Sequence, residues 1–530
     1  MRTLLILMVM VCVGCQQSVE YDLILRNGTI YDGTGKAQIV GDIAVQGDSI
    51  VAVGDLKNLK GKEEIDMQGL AVAPGFINML SWANVTLIED GRSQSDIRQG
   101  VTLEVLGEGS SMGPLDASMK EEMIKNQTDI KYDIKWTTLG EYLQYLENKG
   151  ISTNVASFVG NGTLRQMVIG NDNRPATEEE LGLMKRLVAQ AMEEGAVGIS
   201  SSLLYAPSGY ADTNELIELA KEAAKYNGMY ISHIRNEGAK LLEAVEELIT
   251  ISKEAGLSAE IYHLKASGEG NWSLLDSAVN RVEEARAAGL PITADIYTYP
   301  ASSTGLHVQL PDWVREGGVD SAIVRLANPK LRNKILSEID FEHSPDKILL
   351  VGFKNEALRV HIGKRLSEVA LELQKTPEVT MIDLIVEDDS RIQVVYFSMS
   401  EENIKKKIAL PWVSYCSDAG SYTNEGVFLN QSTHPRAYGS FIRVLGKYAR
   451  DEQILPLEEG IRKLTFLPAT NLKLKRRGLL APGYYADIVV FDPDMVQDMA
   501  TFEEPHQYAQ GMVHVWVNGE QVLNEGMHTG

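Results

Sequence analysis

Two short apolar segments, each carrying a histidine at its end, flank a helical segment between residues 229 and 265. The first segment carries His233, the second carries His263, and Gly256 ends the helical periodicity between them. This order predicts a βαβ unit. In an α/β barrel, the carboxyl ends of parallel strands lie on the face where active sites are found.

The matching positions of these two histidines favour a shared role over two unrelated residues that merely cap their strands. Imidazole is a common metal ligand, and two imidazoles at neighbouring strand ends can converge on one ion. The unit therefore predicts a metal or catalytic site built from His233 and His263.

Strand-like and helical segments alternate through most of the remaining chain, with helical stretches such as 177–194 and 213–227. Eight such repeats predict an α/β fold of the (β/α)8 TIM-barrel type. The predicted strands are 72–80, 100–108, 154–161, 196–203, 229–235, 258–265, 291–299 and 412–418.

Both ends of the chain contain short alternating segments separated by turn dipeptides such as Asn27-Gly28 and Asn518-Gly519. They predict a small discontinuous β-sandwich domain, formed by 16–70 together with 478–530. The barrel then occupies 71–477. More than 100 residues separate the last two predicted strands, so we expect an inserted subdomain at about 308–405.

The N-terminal segment 1–15 has a basic start, a short apolar run and a small residue before Cys15. It is typical of a secretion signal, and its end resembles a bacterial lipoprotein box with Cys15 as the lipidated residue. The alternative is an ordinary cleaved signal. Gln16 and Gln17, with no aspartate, favour an exported, periplasmic or cell-surface protein anchored to the outer membrane.

The composition limits the partners of the 530-residue chain. Its formal net charge of −23 argues against nucleic acid and against anionic membrane surfaces. We therefore expect a small-molecule substrate, and membrane contact only through the lipid anchor. After Cys15, only Cys416 remains, so no disulfide framework is expected.

Nine segments, in this order and spacing, resemble the N-acyl-D-amino-acid deacylases (D-aminoacylases) of the amidohydrolase superfamily. The resemblance covers nearly the whole chain after the signal segment. The segments are VAPGFIN at 72–78, QGVTLEVLGEGSSMGP at 99–114, VASFVGNGTLR at 155–165, GISSSLLYAPSGYADTNEL at 198–216, YISHIRNE at 230–237, IYHLKASG at 261–268, CSDAG at 416–420, HPRAYGSFIRVLGKY at 434–448 and GLLAPGYYADIVVFD at 478–492.

The resemblance implies a metal-binding site at the strand ends. His233 and His263 match two family ligands, and Glu108 stands close to the position of a third. The family's HxH pair after the first strand is absent, because Leu80 and Trp82 occupy its positions, and neither side chain can bind zinc. A set of two histidines and one carboxylate predicts one catalytic Zn²⁺ per chain; an ordinary strand-end carboxylate is the alternative for Glu108.

The resemblance also implies the reaction. Asp418 matches the family's general base, which points to metal-dependent hydrolysis of the amide bond of N-acyl-D-amino acids or related amides. Another amidohydrolase activity, on a cyclic imide or a dipeptide, is an alternative. A different class is a non-catalytic binding protein that descends from the family.

Five further residues are candidates for contacts with the substrate. Lys265 follows His263 by two positions and would share its face in an extended strand. The others match pocket positions of the family or its HPR motif, although packing or loop-ordering roles are alternatives. These four are Tyr205, Tyr299, Ser303 and Arg436.

Overall fold

The computed structural model describes residues 20–530. The predicted signal segment 1–15 and the predicted lipidation site Cys15 lie outside the described residues. The strands are β1 (Glu20–Ile30), β2 (Ile39–Gln46), β3 (Ser49–Gly54), β4 (Lys60–Asp66), β5 (Ala71–Pro74), β6 (Phe76–Asn78), β7 (Val101–Leu106), β8 (Asn154–Ser157), β9 (Val159–Gly160), β10 (Gly198–Ser202), β11 (Met229–His233), β12 (Ala259–Ile261), β13 (Ile292–Ile296), β14 (Ser302–Gly305), β15 (Ile348–Gly352), β16 (Gln393–Tyr396), β17 (Val413–Tyr415), β18 (Ile488–Phe491), β19 (Met512–Val517), β20 (Glu520–Asn524) and β21 (Met527–His528).

The α-helices follow the strands through the barrel and dominate the segment before β17. They are α1 (Thr86–Glu89), α2 (Gln94–Ile97), α3 (Ala117–Lys125), α4 (Leu139–Lys149), α5 (Asn161–Val168), α6 (Glu178–Glu193), α7 (Thr213–Ala224), α8 (Leu241–Ala255), α9 (Leu274–Ala287), α10 (Asp312–Arg315), α11 (Val319–Leu326), α12 (Pro329–Glu338), α13 (Leu366–Glu372), α14 (Pro377–Asp388), α15 (Glu401–Ala409), α16 (Arg436–Arg443), α17 (Leu457–Leu464) and α18 (Phe466–Asn471). Within residues 20–530, no helix is both long and apolar enough to cross a membrane.

Eight parallel strand positions form the predicted (β/α)8 barrel, which confirms the fold class. In order they are β6, β7, the interrupted strand β8–β9, β10, β11, β12, β13 and β17. Phe158 separates β8 from β9, and its amide donates to the Leu106 carbonyl at 2.9 Å. The barrel closes between the first and last strands, where the Met79 amide donates to the Tyr415 carbonyl at 3.2 Å.

The central βαβ unit places both predicted histidines at the same end of the barrel. Helix α8 packs an apolar stripe that includes Val245 and Leu248 into the barrel layer. It ends at Gly256, whose φ of 69° is left-handed and favours glycine. The chain then returns into β12 beside β11, with Ser232 paired to Ile261.

A nine-stranded sheet joins the two ends of the chain. Its order is β21-β20-β19-β18-β5-β1-β2-β3, with β4 beside β1. The predicted first barrel strand, 72–80, is wrong as a single element, because β5 joins this sheet and β6 joins the barrel. Gly75 lies between them, where a Cβ atom would collide with the side chain of Thr102. The chain can therefore turn from one sheet into the other only with a residue this small.

The segment between β13 and β17 has its own small core. It contains the antiparallel sheet β14-β16-β15 and the helices α10 to α14. Buried side chains such as Leu350, Met381 and Val394 form a cluster separate from that of the barrel. This material follows the seventh barrel strand and precedes the eighth, so it is attached to the end of the barrel where His233 and His263 lie.

Candidate metal centre and active site

Three buried side chains converge at the carboxyl ends of the second, fifth and sixth barrel strands. Glu108 follows β7, His233 ends β11, and His263 follows β12 with an unusual φ of 37°. Glu108 Oε1 lies 3.0 Å from His263 Nε2 and 3.3 Å from His233 Nδ1, and the two imidazole nitrogens are 2.9 Å apart. Among residues 20–530, no other group of three histidine, cysteine or acidic side chains brings its ligand atoms this close together.

The donor set of this triad fits zinc. Four-coordinate zinc binds nitrogen and oxygen at about 2.0–2.2 Å, which places neighbouring ligand atoms roughly 3.3 Å apart. The three atoms already lie 2.9–3.3 Å from one another. Two imidazoles and one carboxylate also leave a coordination position for water or substrate, as in catalytic zinc sites.

The protonation state of Glu108 agrees with a ligand role. Burial acts to raise the pKa of this carboxyl, but the hydrogen bonds with His233 and His263 outweigh it and hold the pKa well below its ordinary value. The group is therefore a carboxylate, the form that binds a metal ion.

Asp418 stands at the end of the eighth strand, between two donors. Trp82 Nε1 donates to Asp418 Oδ1 at 3.2 Å, and Arg436 Nη1 lies 2.7 Å from Oδ2. The backbone at Asp418 has a φ of 49°, and its amide donates to the Leu80 carbonyl at 2.9 Å. These contacts fix the carboxylate at the barrel mouth, next to the end of the first strand.

The first strand offers no metal ligand at the positions of Leu80 and Trp82. Leu80 is fully buried, whereas Trp82 is 39% exposed at the mouth. The Trp82 amide donates to the Ala419 carbonyl at 2.9 Å, which fastens this segment to the residue after Asp418. The indole N–H consequently reaches the carboxylate of Asp418.

Three of the five predicted substrate residues lie beside the triad or Asp418. Lys265 Nζ is 2.7 Å from His263 Nδ1, and the ring of Tyr205 is centred 5.4 Å from that of His233. Arg436 contacts Asp418 and lies over the ring of Tyr297, 4.5 Å from its centroid.

The hydroxyls of the other two predicted substrate residues, Tyr299 and Ser303, form hydrogen bonds away from the triad. Tyr299 donates to Asp498 at 3.1 Å, and Asp498 also pairs with Arg443. Ser303 donates to the Val394 carbonyl of the inserted subdomain at 2.8 Å. The structure therefore places these two hydroxyls in structural hydrogen bonds and not beside His233 or His263.

Sequence reasoning missed two residues of the site, Tyr297 and Glu237. Tyr297 comes directly after β13, so the rule that sites lie at strand ends could have found it. Its ring is 6.5 Å from that of His263 and also faces Arg436. Glu237 lies in the loop after β11, and its Oε1 is 3.1 Å from His263 Nδ1. No periodicity marks that loop.

Comparisons with known proteins agree with this geometry. Residues 432–523 match the model of an amidohydrolase family. The chain is 33% identical to D-aminoacylase of Alcaligenes xylosoxydans xylosoxydans, over 97% of this chain and 96% of that protein.

Two solved structures superpose on almost the whole chain. One is a structure of D-aminoacylase, described by its binuclear metal centre with one-metal activation and second-metal attenuation. Its TM-score is 0.80 at 31% identity, covering 96% of this chain and 98% of the other. The second is N-acyl-D-glutamate deacylase from Bordetella bronchiseptica, complexed with zinc and a phosphonate inhibitor that mimics the tetrahedral intermediate. Its TM-score is 0.79 at 29% identity, covering 95% and 97% of the two chains.

Proposed function

Because this chain belongs to the amidohydrolase family that includes D-aminoacylase, we propose that it hydrolyses the amide bond of N-acyl-D-amino acids with one zinc ion per chain. The observation that carries the proposal is the convergence of Glu108, His233 and His263 at one end of the barrel. The similarity to a zinc-containing N-acyl-D-glutamate deacylase supports it. The name of one relative, D-aminoacylase, specifies no side chain, and the other relative acts on N-acyl-D-glutamate, so the proposal covers D-amino acids as a class.

Zinc held by Glu108, His233 and His263 would supply Lewis acidity, which polarises the scissile carbonyl and lowers the pKa of a water molecule toward neutrality. The chain's own residues provide the proton transfer. Asp418 accepts one proton from the attacking water and returns it to the leaving nitrogen, so that a carboxylic acid and an amine are formed. The indole of Trp82 and the guanidinium of Arg436 orient the Asp418 carboxylate for both steps.

Arg436 is suited to a second task, the binding of the substrate's α-carboxylate. It is only 4% exposed, and its Nε atom has no hydrogen-bond partner within the described chain, whereas Nη1 faces Asp418 Oδ2 at 2.7 Å. Buried donors without an acceptor are costly, and guanidinium matches the geometry of a carboxylate. Tyr205 and Lys265 lie close enough to the histidines to contact the substrate as well.

The test is a hydrolysis assay on the purified zinc-loaded protein with paired D- and L-enantiomers of N-acetyl leucine, methionine, glutamate and aspartate. We expect release of the free amine from D-enantiomers only, loss of activity on chelation, and recovery with one equivalent of zinc. Asp418→Asn should reduce kcat by about 10²–10⁴-fold, the usual contribution of general acid–base catalysis, while zinc content is unchanged.

Other results would select an alternative. Cleavage of a cyclic imide or a dipeptide, and of no N-acyl-D-amino acid, would move the assignment within the superfamily. A protein that binds an N-acyl-D-amino acid but cleaves nothing would be a binding protein. Unimpaired turnover by the Asp418→Asn variant would remove the role of that residue.

We further propose that the protein is exported and anchored by a lipid on Cys15, as the N-terminal sequence suggests. The support comes from residues 1–15 alone. Cys15→Ser should shift the full chain from the membrane fraction to the soluble fraction. A wild-type chain that is recovered only in the soluble fraction would contradict the anchor.

A further inference from the structure

Glu237 occupies a position between the outer nitrogens of both metal-binding histidines. Its carboxylate is 14% exposed and lies in the loop between β11 and α8. Oε1 is 3.1 Å from His263 Nδ1, and Oε2 is 3.9 Å from His233 Nε2. One carboxylate thus faces two imidazoles on the side opposite to Glu108.

This arrangement depends on the opposite orientation of the two rings. His263 directs Nε2 toward Glu108 and Nδ1 away from it, whereas His233 directs Nδ1 toward Glu108 and Nε2 away. A histidine that binds a metal ion through one nitrogen carries its proton on the other. The two protons therefore point at the same carboxylate.

His233 shows why the second contact matters. Its Nε2 atom is buried and has no hydrogen-bond partner within residues 20–530. Glu237 Oε2, at 3.9 Å, is the acidic oxygen facing it. A shift of about 1 Å would complete a hydrogen bond, so that Glu237 would hold both rings.

Lys265 contacts both the Glu237 carboxylate and the His263 ring. Its Nζ atom is 2.5 Å from Glu237 Oε1 and 2.7 Å from His263 Nδ1. If the ammonium donated to His263 Nδ1, the ring proton would move to Nε2 and block metal binding. A carboxylate at this point accepts from both Lys265 and the Nδ1–H group, which leaves the Nε2 lone pair facing Glu108.

We propose that Glu237 is a positioning residue shared by His233 and His263, which fixes the tautomer of both rings for metal binding, with Lys265 holding the carboxylate in place. The inference deepens the proposed function and rests on its zinc site. Outer partners of metal-binding histidines typically contribute 10–100-fold to metal affinity. Here one side chain would serve two ligands.

The test measures zinc affinity of the full mature chain by competition with a chelator of known affinity. Glu237→Gln keeps the size of the side chain but places an amide, with its own N–H donors, where two donors already meet. We expect zinc affinity to fall by about 10–100-fold, and the absorption spectrum of the cobalt-substituted protein to change. Glu237→Asp should recover part of the affinity, because it restores the negative charge. Lys265→Met should weaken zinc binding less than Glu237→Gln.

The matched control is Glu247→Gln, ten residues further along, whose carboxylate pairs with Arg235 and does not touch either histidine. It should bind zinc like the wild type. A folded Glu237→Gln protein with wild-type zinc affinity and cobalt spectrum would overturn the inference. If that variant does not fold, unchanged zinc affinity in Glu237→Asp and Lys265→Met together would overturn it.

Zinc affinity is independent of the substrate, so the two proposals can fail separately. Weaker zinc binding by Glu237→Gln, in a protein that cleaves no N-acyl-D-amino acid, would support the inference and reject the proposed function. Wild-type protein that binds no zinc would overturn both.

Discussion

Two buried glutamates, four residues apart at the second barrel strand, meet different partners. Glu104 lies within β7 and accepts hydrogen bonds from the hydroxyls of Ser81, Ser93 and Thr153 at 2.6–3.0 Å. Glu108 follows the same strand and faces two imidazoles. Burial raises the pKa of Glu104 despite its three hydroxyl donors, whereas the imidazoles lower that of Glu108.

A second pair of carboxyls repeats this contrast. Asp96 packs beside Glu104, and burial together with the charge of Glu104 raises its pKa well above the ordinary value. Burial also acts to raise the pKa of Glu237, but Lys265 and the two histidines outweigh it and lower that pKa strongly. Hydroxyls satisfy a buried carboxyl without supplying charge, whereas basic nitrogens also supply the positive charge that favours its ionised form. The pKa values of Glu104 and Asp96 are therefore shifted toward protonation, whereas Glu108 and Glu237 stay ionised beside the histidines.

The sharpest test of this contrast is the same substitution at both glutamates. Glu108→Gln removes a charged ligand, so we expect zinc affinity to fall by more than about 100-fold, beyond the effect of an outer partner, with activity lost at limiting zinc. Glu104→Gln replaces a carboxyl that is held by three hydroxyls, and that contacts neither imidazole, with an amide of the same size. Zinc content by elemental analysis and kcat should both stay within about twofold of the wild type.

The contrast between Glu104 and Glu108 would be contradicted if the two variants had the same zinc content. Loss of zinc in folded Glu104→Gln protein would mean that Glu104 and its hydroxyl partners take part in metal binding. Retention of zinc in Glu108→Gln would remove Glu108 from the ligand set.

The sequence predicted the elements that follow from hydrophobic periodicity. Every predicted barrel strand contains an observed one, because buried parallel strands are short apolar runs that end in polar residues. The same rule located His233 and His263, whereas Glu108 was predicted from the resemblance to the family. It failed at residue 75, where the chain passes from one sheet to another without any change in composition.

Side-chain directions beyond the strand ends could not be predicted. Period-two reasoning linked Lys265 to His263, but β12 ends at Ile261 and His263 has a positive φ. Lys265 still contacts His263, although through its Nδ1 atom and alongside Glu237. Tyr297 and Tyr299 would share a strand face, yet Tyr299 bonds to Asp498 once the chain has left β13. Loop geometry decides these directions, and it depends on distant packing.

The hydrogen bond from Trp82 to Asp418 offers a second test, at the other side of the active site. Trp82→Phe keeps an aromatic ring at the mouth but removes the N–H donor to Asp418 Oδ1. A hydrogen bond to a charged group contributes about 1.5–3 kcal/mol, so we expect kcat to fall by about 10-fold or more. Zinc content should not change, since Trp82 is not a ligand.

The control for this loss is Trp272→Phe, which also deletes an indole N–H, in this case one bonded to the Ser398 carbonyl. Its kcat should match that of the wild type. If Trp82→Phe raised KM and left kcat unchanged, the indole would act on substrate binding and not on Asp418.

The smallest effect expected from the comparison is on the pH dependence of stability. The raised pKa of Asp96 means that folding favours its protonated form. This contribution is fully present below the ordinary pKa of about 4 and is lost as pH rises through the raised value. Asp96→Asn removes the ionisable group and retains a polar side chain opposite Asn78. The variant's Tm, relative to that of the wild type, should therefore increase from pH 5 to pH 8, by an amount on the order of 1–3 °C.

Asp133→Asn, at a side chain that is 87% exposed, should show no such trend in the same calorimetric series. A difference between Asp96→Asn and the wild type that stays constant across this range would mean that Asp96 is ionised in the folded protein. The pair of Glu104 and Asp96 would then carry the charge of Asp96 as well, and its contrast with Glu108 and Glu237 would rest on geometry alone.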